Sequence, residues 1–153
     1  MQYYYCPDCG NVFNGEFIKG TEWREACPIA NCSGVAFEID EEMIVAVDTL
    51  WKKGYMTEFC CAGHVFGTSL GGYIMFDECS VVSSTPRGWY KDGNTIRYDL
   101  HKGNPPIEQV KEIHRKIEAL NKWCEELESF DEDELYGEYG AKCHESLQSE
   151  GRN

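Results

Sequence analysis

Two short cysteine pairs lie near the start of the chain, Cys6-Pro7-Asp8-Cys9-Gly10 and Cys27-Pro28-Ile29-Ala30-Asn31-Cys32-Ser33-Gly34. No other feature restricts the fold as tightly. A CxxC or CxxxxC loop turns sharply enough to aim two thiolates at one point, and two such loops a hairpin apart complete a tetrahedral shell. The small residues after each loop leave room for backbone amides to approach sulfur. The chain carries nine cysteines. Its opening, MQYYYCPDCG, has neither a basic start nor an apolar leader, so these thiols read as reduced metal ligands rather than a disulfide scaffold.

The flanks agree with the pairs. Tyr3–Tyr5 and Thr21–Glu25 have the character of short strands entering a knuckle, and Val35–Ile39 that of the strand leaving the second one. The pattern over residues 1–39 resembles a zinc ribbon, with Cys6, Cys9, Cys27 and Cys32 holding a Zn2+. Four protein ligands leave no open position, so the metal is expected to be structural.

Residues 40–130 read as an α+β domain. Asp40 is a suitable N-cap, Glu41 and Glu42 suit a helix start, and Met43, Ile44, Val47, Leu50 and Trp51 recur at helical spacing up to a stop at Gly54. This predicts a helix over 41–53. Tyr55–Cys60, Gly72–Phe76 and Asn94–Leu100 are strand candidates, with a turn at Lys91–Asn94. The unbroken apolar run of GYIMF predicts a strand buried on both faces. Pro105-Pro106 opens a long helix whose stripe is Ile107, Val110, Ile113, Ile117, Leu120, Cys124 and Leu127. The expected architecture is an N-terminal zinc ribbon followed by a small β-sheet packed against two helices, then an acidic tail over 131–153.

Charge narrows the partners. The chain carries a net −13, and residues 125–153 hold ten acidic residues against Lys142 and Arg152. That sign disfavours binding to a nucleic-acid backbone, which needs clustered Lys and Arg. No apolar run approaches the roughly 20 residues that cross a bilayer. A cytoplasmic protein with no membrane partner is expected.

The remaining chemistry centres on Thr57-Glu58-Phe59-Cys60-Cys61-Ala62-Gly63-His64. A strand ending in a small-residue turn is where side chains and free amides converge, and the following loop GTSLGG can wrap an anion. A second metal site would pair Cys60 or Cys61 with His64 and a distant ligand such as Cys79 or His101. A nucleophilic thiol would need His64 as its base, with Asp77 to orient it. A third reading is a non-catalytic site for a small anionic ligand, drawing on Cys60, Cys61, Gly63, His64, Gly71, Gly72, Arg87, Tyr90 and Arg97. In a fourth, the cysteines are small hydrophobes in the core.

The segments CPDCG, CPIANC, KGYMTEFCCAGH and GGYIMF resemble a family of small uncharacterised proteins of bacteria and their phages, built from a zinc ribbon and a KGYxTxxCCxGH…GGYIxF core. That resemblance implies the fold order and an intracellular home, but no activity. A fainter similarity links Cys61-Ala62-Gly63-His64 to the Cys-Ser-Gly-Arg turn of wybutosine-synthesis methyltransferases, with the Ser and Arg missing here. The leading expectation is a non-enzymatic binding protein for a small anionic, nucleotide-like ligand or a protein partner, including a phage-type inhibitor of a host system. The alternative is a metal- or thiol-dependent enzyme acting on a nucleotide or RNA.

Overall fold

The computed structural model describes residues 3–15, 22–67 and 71–130. The acidic segment 131–153, residues 68–70 of the glycine loop and Thr21 of the second strand candidate lie outside the described residues. Four strands form the first sheet: β1 (Tyr3–Tyr5), β2 (Val12–Asn14), β3 (Arg24–Ala26) and β4 (Val35–Ile39), in the order β2-β1-β4-β3 and antiparallel throughout. A 3-10 turn at Glu41–Met43 leads into α1 (Ile44–Lys52). The second sheet holds β5 (Thr57–Cys61), β6 (Tyr73–Phe76), β7 (Tyr90–Asp92) and β8 (Thr95–Arg97), in the order β5-β6-β8-β7. The long helix α2 (Pro106–Glu126) closes the described chain. The class is α+β, as the sequence predicts, and no helix among the described residues is long and apolar enough to cross a membrane.

Alternation along β1 joins the two halves. Successive side chains on a strand point to opposite faces. Tyr4 accordingly lies in a small core with Cys6, Phe13, Cys27 and Ala36. Tyr5 enters the main core with Ile39, the apolar face of α1, Ile74 and Phe76 of β6, and Ile113, Ile117 and Leu120 of α2. The Tyr5 hydroxyl also donates to Asp48 Oδ1 on α1 at 2.8 Å. The ribbon sheet is therefore walled on both faces, and its inner face shares a core with residues beyond 40.

Three local expectations change. In β6, Ile74 and Phe76 are buried while Tyr73 and Met75 are half-buried, because the helices cover one face of an antiparallel sheet. Ile107 is exposed in the first turn of α2. Gln109 is buried nearby, its amide donating to the Lys102 and Asn104 carbonyls at 3.2 and 2.7 Å. Asp40 makes no side-chain cap to the helix it precedes; its carboxylate is engaged elsewhere.

The segment Lys53-Gly54-Tyr55 clamps the far end of α2. A helix leaves its last carbonyls without intrahelical partners. Lys53 Nζ donates to the carbonyls of Cys124, Glu125 and Leu127 at 2.8, 2.7 and 2.6 Å, placing a cation on the negative end of the helix dipole. Gly54 turns the chain at φ +91°, and the Tyr55 hydroxyl donates to the Glu128 carbonyl at 3.0 Å. Replacing Lys53→Met should cost about 2 kcal/mol, the range for hydrogen bonds from a charged donor. The check is a lower urea midpoint with an unchanged slope.

Candidate functional site

The four ribbon sulfurs converge. Cys6 and Cys9 flank the turn between β1 and β2, and Cys27 and Cys32 that between β3 and β4. Antiparallel pairing of β1 with β4 brings the two turns to the same end of the sheet. All four Sγ atoms lie within 4.8 Å of one another. Cys6 and Cys32 stand 3.8 Å apart, and Cys9 and Cys27 3.7 Å. Two tetrahedral metal–sulfur bonds of about 2.3 Å subtend an edge of about 3.8 Å, so the cluster has the dimensions of a four-sulfur metal site. Backbone amides of Asp8 and Cys9 point at Cys6 Sγ, and that of Ile29 at Cys27 Sγ. Burial pushes the Cys6 thiol up to about 12, whereas the Asn11 side-chain amide, donating to Cys9 Sγ at 3.3 Å, and the Asn11 backbone hold Cys9 down at about 7. Sequestered thiolates are costly unless a cation neutralises them. These residues can hold a metal ion.

At the end of β5 the two adjacent cysteines face opposite ways. Cys60 packs against the main core. Burial, with Asp40 and Cys61 nearby, pushes its thiol up to about 12. Cys61 pairs with Tyr73, Tyr73 with Arg97, and Arg97 with Tyr90, so register lines these four up in one row across the sheet. The row is on the face opposite Ile74 and Ile96, both buried. Cys61 and Arg97 are two strand spacings apart, about 10 Å. Arg97 already has Asp92 and Asp99 carboxylates at 3.8 and 4.0 Å and the Tyr90 ring at 6.0 Å. The Tyr90 hydroxyl donates to Asp99 Oδ1 at 2.9 Å. Two carboxylates outweigh the one guanidinium, so this part of the row carries no net positive charge. Arg87 is exposed in the loop ahead of β7, outside the paired strands.

The glycines of the site are seats for Tyr98. Its ring is fully buried, edge-on to Trp89 at 4.8 Å, and its hydroxyl donates to the Ala62 carbonyl at 2.5 Å. A Cβ on Gly72 would stand 2.5 Å from the ring, and one on Gly63 2.6 Å from the hydroxyl. A Cβ on Gly71 would meet the Tyr98 carbonyl. Gly63 also adopts φ +96°, a conformation that costs an L side chain about 1–2 kcal/mol. Nothing in the sequence marks Tyr98 for the site, since its alternating strand context reads as core alone.

Sequence reasoning also misses Asp40. Its Oδ2 accepts the Ala62 amide at 2.8 Å and lies 3.5 Å from His64 Nε2. One ligand atom each from Asp40, Cys61 and His64 lie within 4.8 Å of one another. Neither Cys79 nor His101 joins this group among the described residues. Asp77 does not orient His64; its Oδ1 accepts the Cys79 amide at 2.9 Å. The only signal in the chain is an acidic residue directly after β4, which helix-start chemistry explains equally well. Next to the trio, His64, Phe66, Val110, Ile113, His114 and Glu42 line an open cleft of about 440 Å³ beside α2. Lys102 Nζ holds its rim by donating to the His64 and Val65 carbonyls.

Burial also pushes the Cys124 thiol up to about 12. An unfolded thiol ionises near about 8.5. Burying Cys60 and Cys124 therefore contributes stability that is complete below about 8.5 and is lost as pH rises towards about 12. At pH 8, iodoacetamide should modify both at least about a thousand times more slowly than free cysteine, accelerating with pH. Peptide mass spectrometry reads each site. Comparison of the chain with protein-family models, curated proteins and solved structures returns no match.

Proposed function

We propose that the chain is a zinc-ribbon binding protein. Cys6, Cys9, Cys27 and Cys32 hold one structural Zn2+, and the Cys60–His64 turn, with the cleft beside α2, takes a small anionic, nucleotide-like ligand. The observation that carries the reading is the cleft itself. It combines apolar walls, Phe66, Val110 and Ile113, with the ionisable His64 and His114, at a turn held rigid by Tyr98 and Lys102. Sites for small ligands have this composition: apolar surface for a ring, and a few polar groups to fix its orientation. Thiolate softness and sulfur spacing favour zinc over calcium or magnesium at the ribbon. The net −13 argues against a long nucleic acid as the ligand. A metal-dependent enzyme acting on a nucleotide is the rival reading, favoured by the convergence of Asp40, Cys61 and His64.

Two experiments test the two halves separately. Cys9→Ser should lower the zinc content by about one ion per chain and reduce thermal stability, because a structural zinc contributes folding free energy. Unchanged zinc by elemental mass spectrometry rejects the metal assignment. Calorimetry against mono-, di- and cyclic dinucleotides should find one class that binds, and His114→Ala should weaken it about tenfold, the worth of one lost polar contact. No heat from any of them rejects the ligand reading and leaves the zinc assignment standing.

A further inference from the structure

We infer that Asp40, Cys61 and His64 form a second zinc site, separate from the ribbon cluster, with its fourth coordination position left to water. The inference does not rest on the nucleotide-like ligand. Its first support is the donor set. One carboxylate, one thiolate and one imidazole are borderline-soft ligands suited to Zn2+, and too few oxygens for calcium or magnesium. With the carboxylate and the thiolate charged, they neutralise a divalent cation. Zinc sites with three protein ligands are the open kind, in which water fills the fourth place.

Geometry is the second support. Asp40 Oδ2 and His64 Nε2 are 3.5 Å apart, close to the edge of about 3.3 Å expected for two tetrahedral bonds of about 2.0–2.1 Å. A Cys–His–Asp relay would look different. There the imidazole stands between the other two groups and uses both nitrogens, separating sulfur from carboxylate by about 7 Å. Here one atom from each residue lies within 4.8 Å of the other two, so the three converge on a point.

The third support is a repeated local structure. In the ribbon, the amide two residues on points at sulfur, from Asp8 to Cys6 and from Ile29 to Cys27. The Gly63 amide donates to Cys61 Sγ at 3.4 Å in the same relation. Cys61-Ala62-Gly63-His64 is thus built like a metal knuckle whose second ligand is histidine. The Ala62 amide, donating to the same Asp40 Oδ2 at 2.8 Å, ties the third ligand to that knuckle through one lone pair of that oxygen and leaves the other lone pair for the cation. Partners of this kind orient a ligand, and losing one typically weakens metal affinity 10–100-fold.

The test is a zinc count on the full chain after saturation and desalting, with zinc-edge X-ray absorption on the same sample. The expected result is about two zinc ions per chain and about 2.5 sulfur ligands per zinc on average, the mean of four and one. His64→Ala and Asp40→Asn should each lower the count to about one, with sulfur ligation rising to about four. His64 is half-exposed, and asparagine keeps an acceptor for the Ala62 amide, so both variants should retain the native circular dichroism spectrum. His64→Cys, which keeps a ligand there, should hold the second ion. One zinc per chain with four sulfurs in the native protein overturns the inference. So does a second zinc that both Asp40→Asn and His64→Ala leave in place.

Discussion

The hydrogen bond from the Tyr98 hydroxyl to the Ala62 carbonyl is the contact on which the site is built. A buried phenol needs an acceptor, and a buried carbonyl needs a donor. Satisfying both with one bond ties Tyr98, the residue after β8, to the turn after β5, 36 residues earlier. The ring then occupies the space that side chains at positions 63 and 72 would take, which is why glycine stands at both. Burial pushes the Tyr98 phenol well above its ordinary value, so it stays a donor through the physiological range. With the Ala62 carbonyl held from one side and its amide committed to Asp40, the turn carrying Cys61 and His64 has little freedom.

The ribbon and the α+β half depend on each other through a similar economy of strands. Three tyrosines in β1 serve two cores, with Tyr4 facing the sulfur cluster and Tyr5 facing α1. β4, which completes the ribbon sheet, ends at Ile39, so Asp40 emerges between the two halves. That position brings a ribbon-side carboxylate to the end of the second sheet. A small domain has limited apolar area with which to stabilise itself, and a ribbon sheet that shares its inner face with the main core adds to that area.

Much of the fold was legible in the chain. The cysteine spacings and their flanking strands located the sulfur cluster, because each short loop aims its own ligands without help from distant residues. Helical periodicity found both helices to within a few residues, and Gly54 marked the stop of the first. The 3-10 start of α1, the exposure of Ile107 and the burial of Gln109 were not legible, since each depends on which neighbour covers a given turn. β7 was hidden for the same reason; its three exposed residues have no apolar alternation and pair only because Gly93 folds them onto β8.

The candidate site divides along the same line. Sequence alone determined that Cys61, Gly63 and His64 share a turn and that the four ribbon cysteines can meet, because those relations are set within a few residues of backbone. It left Cys60 and Cys61 equivalent, and only strand pairing turned one into the core and the other onto the open face. Tertiary structure alone decided that Asp40, 21 positions before Cys61, is their neighbour rather than a helix cap. A carboxylate goes to the strongest donors within reach, and which donors are within reach is a property of how the two sheets are joined, not of the residues beside it.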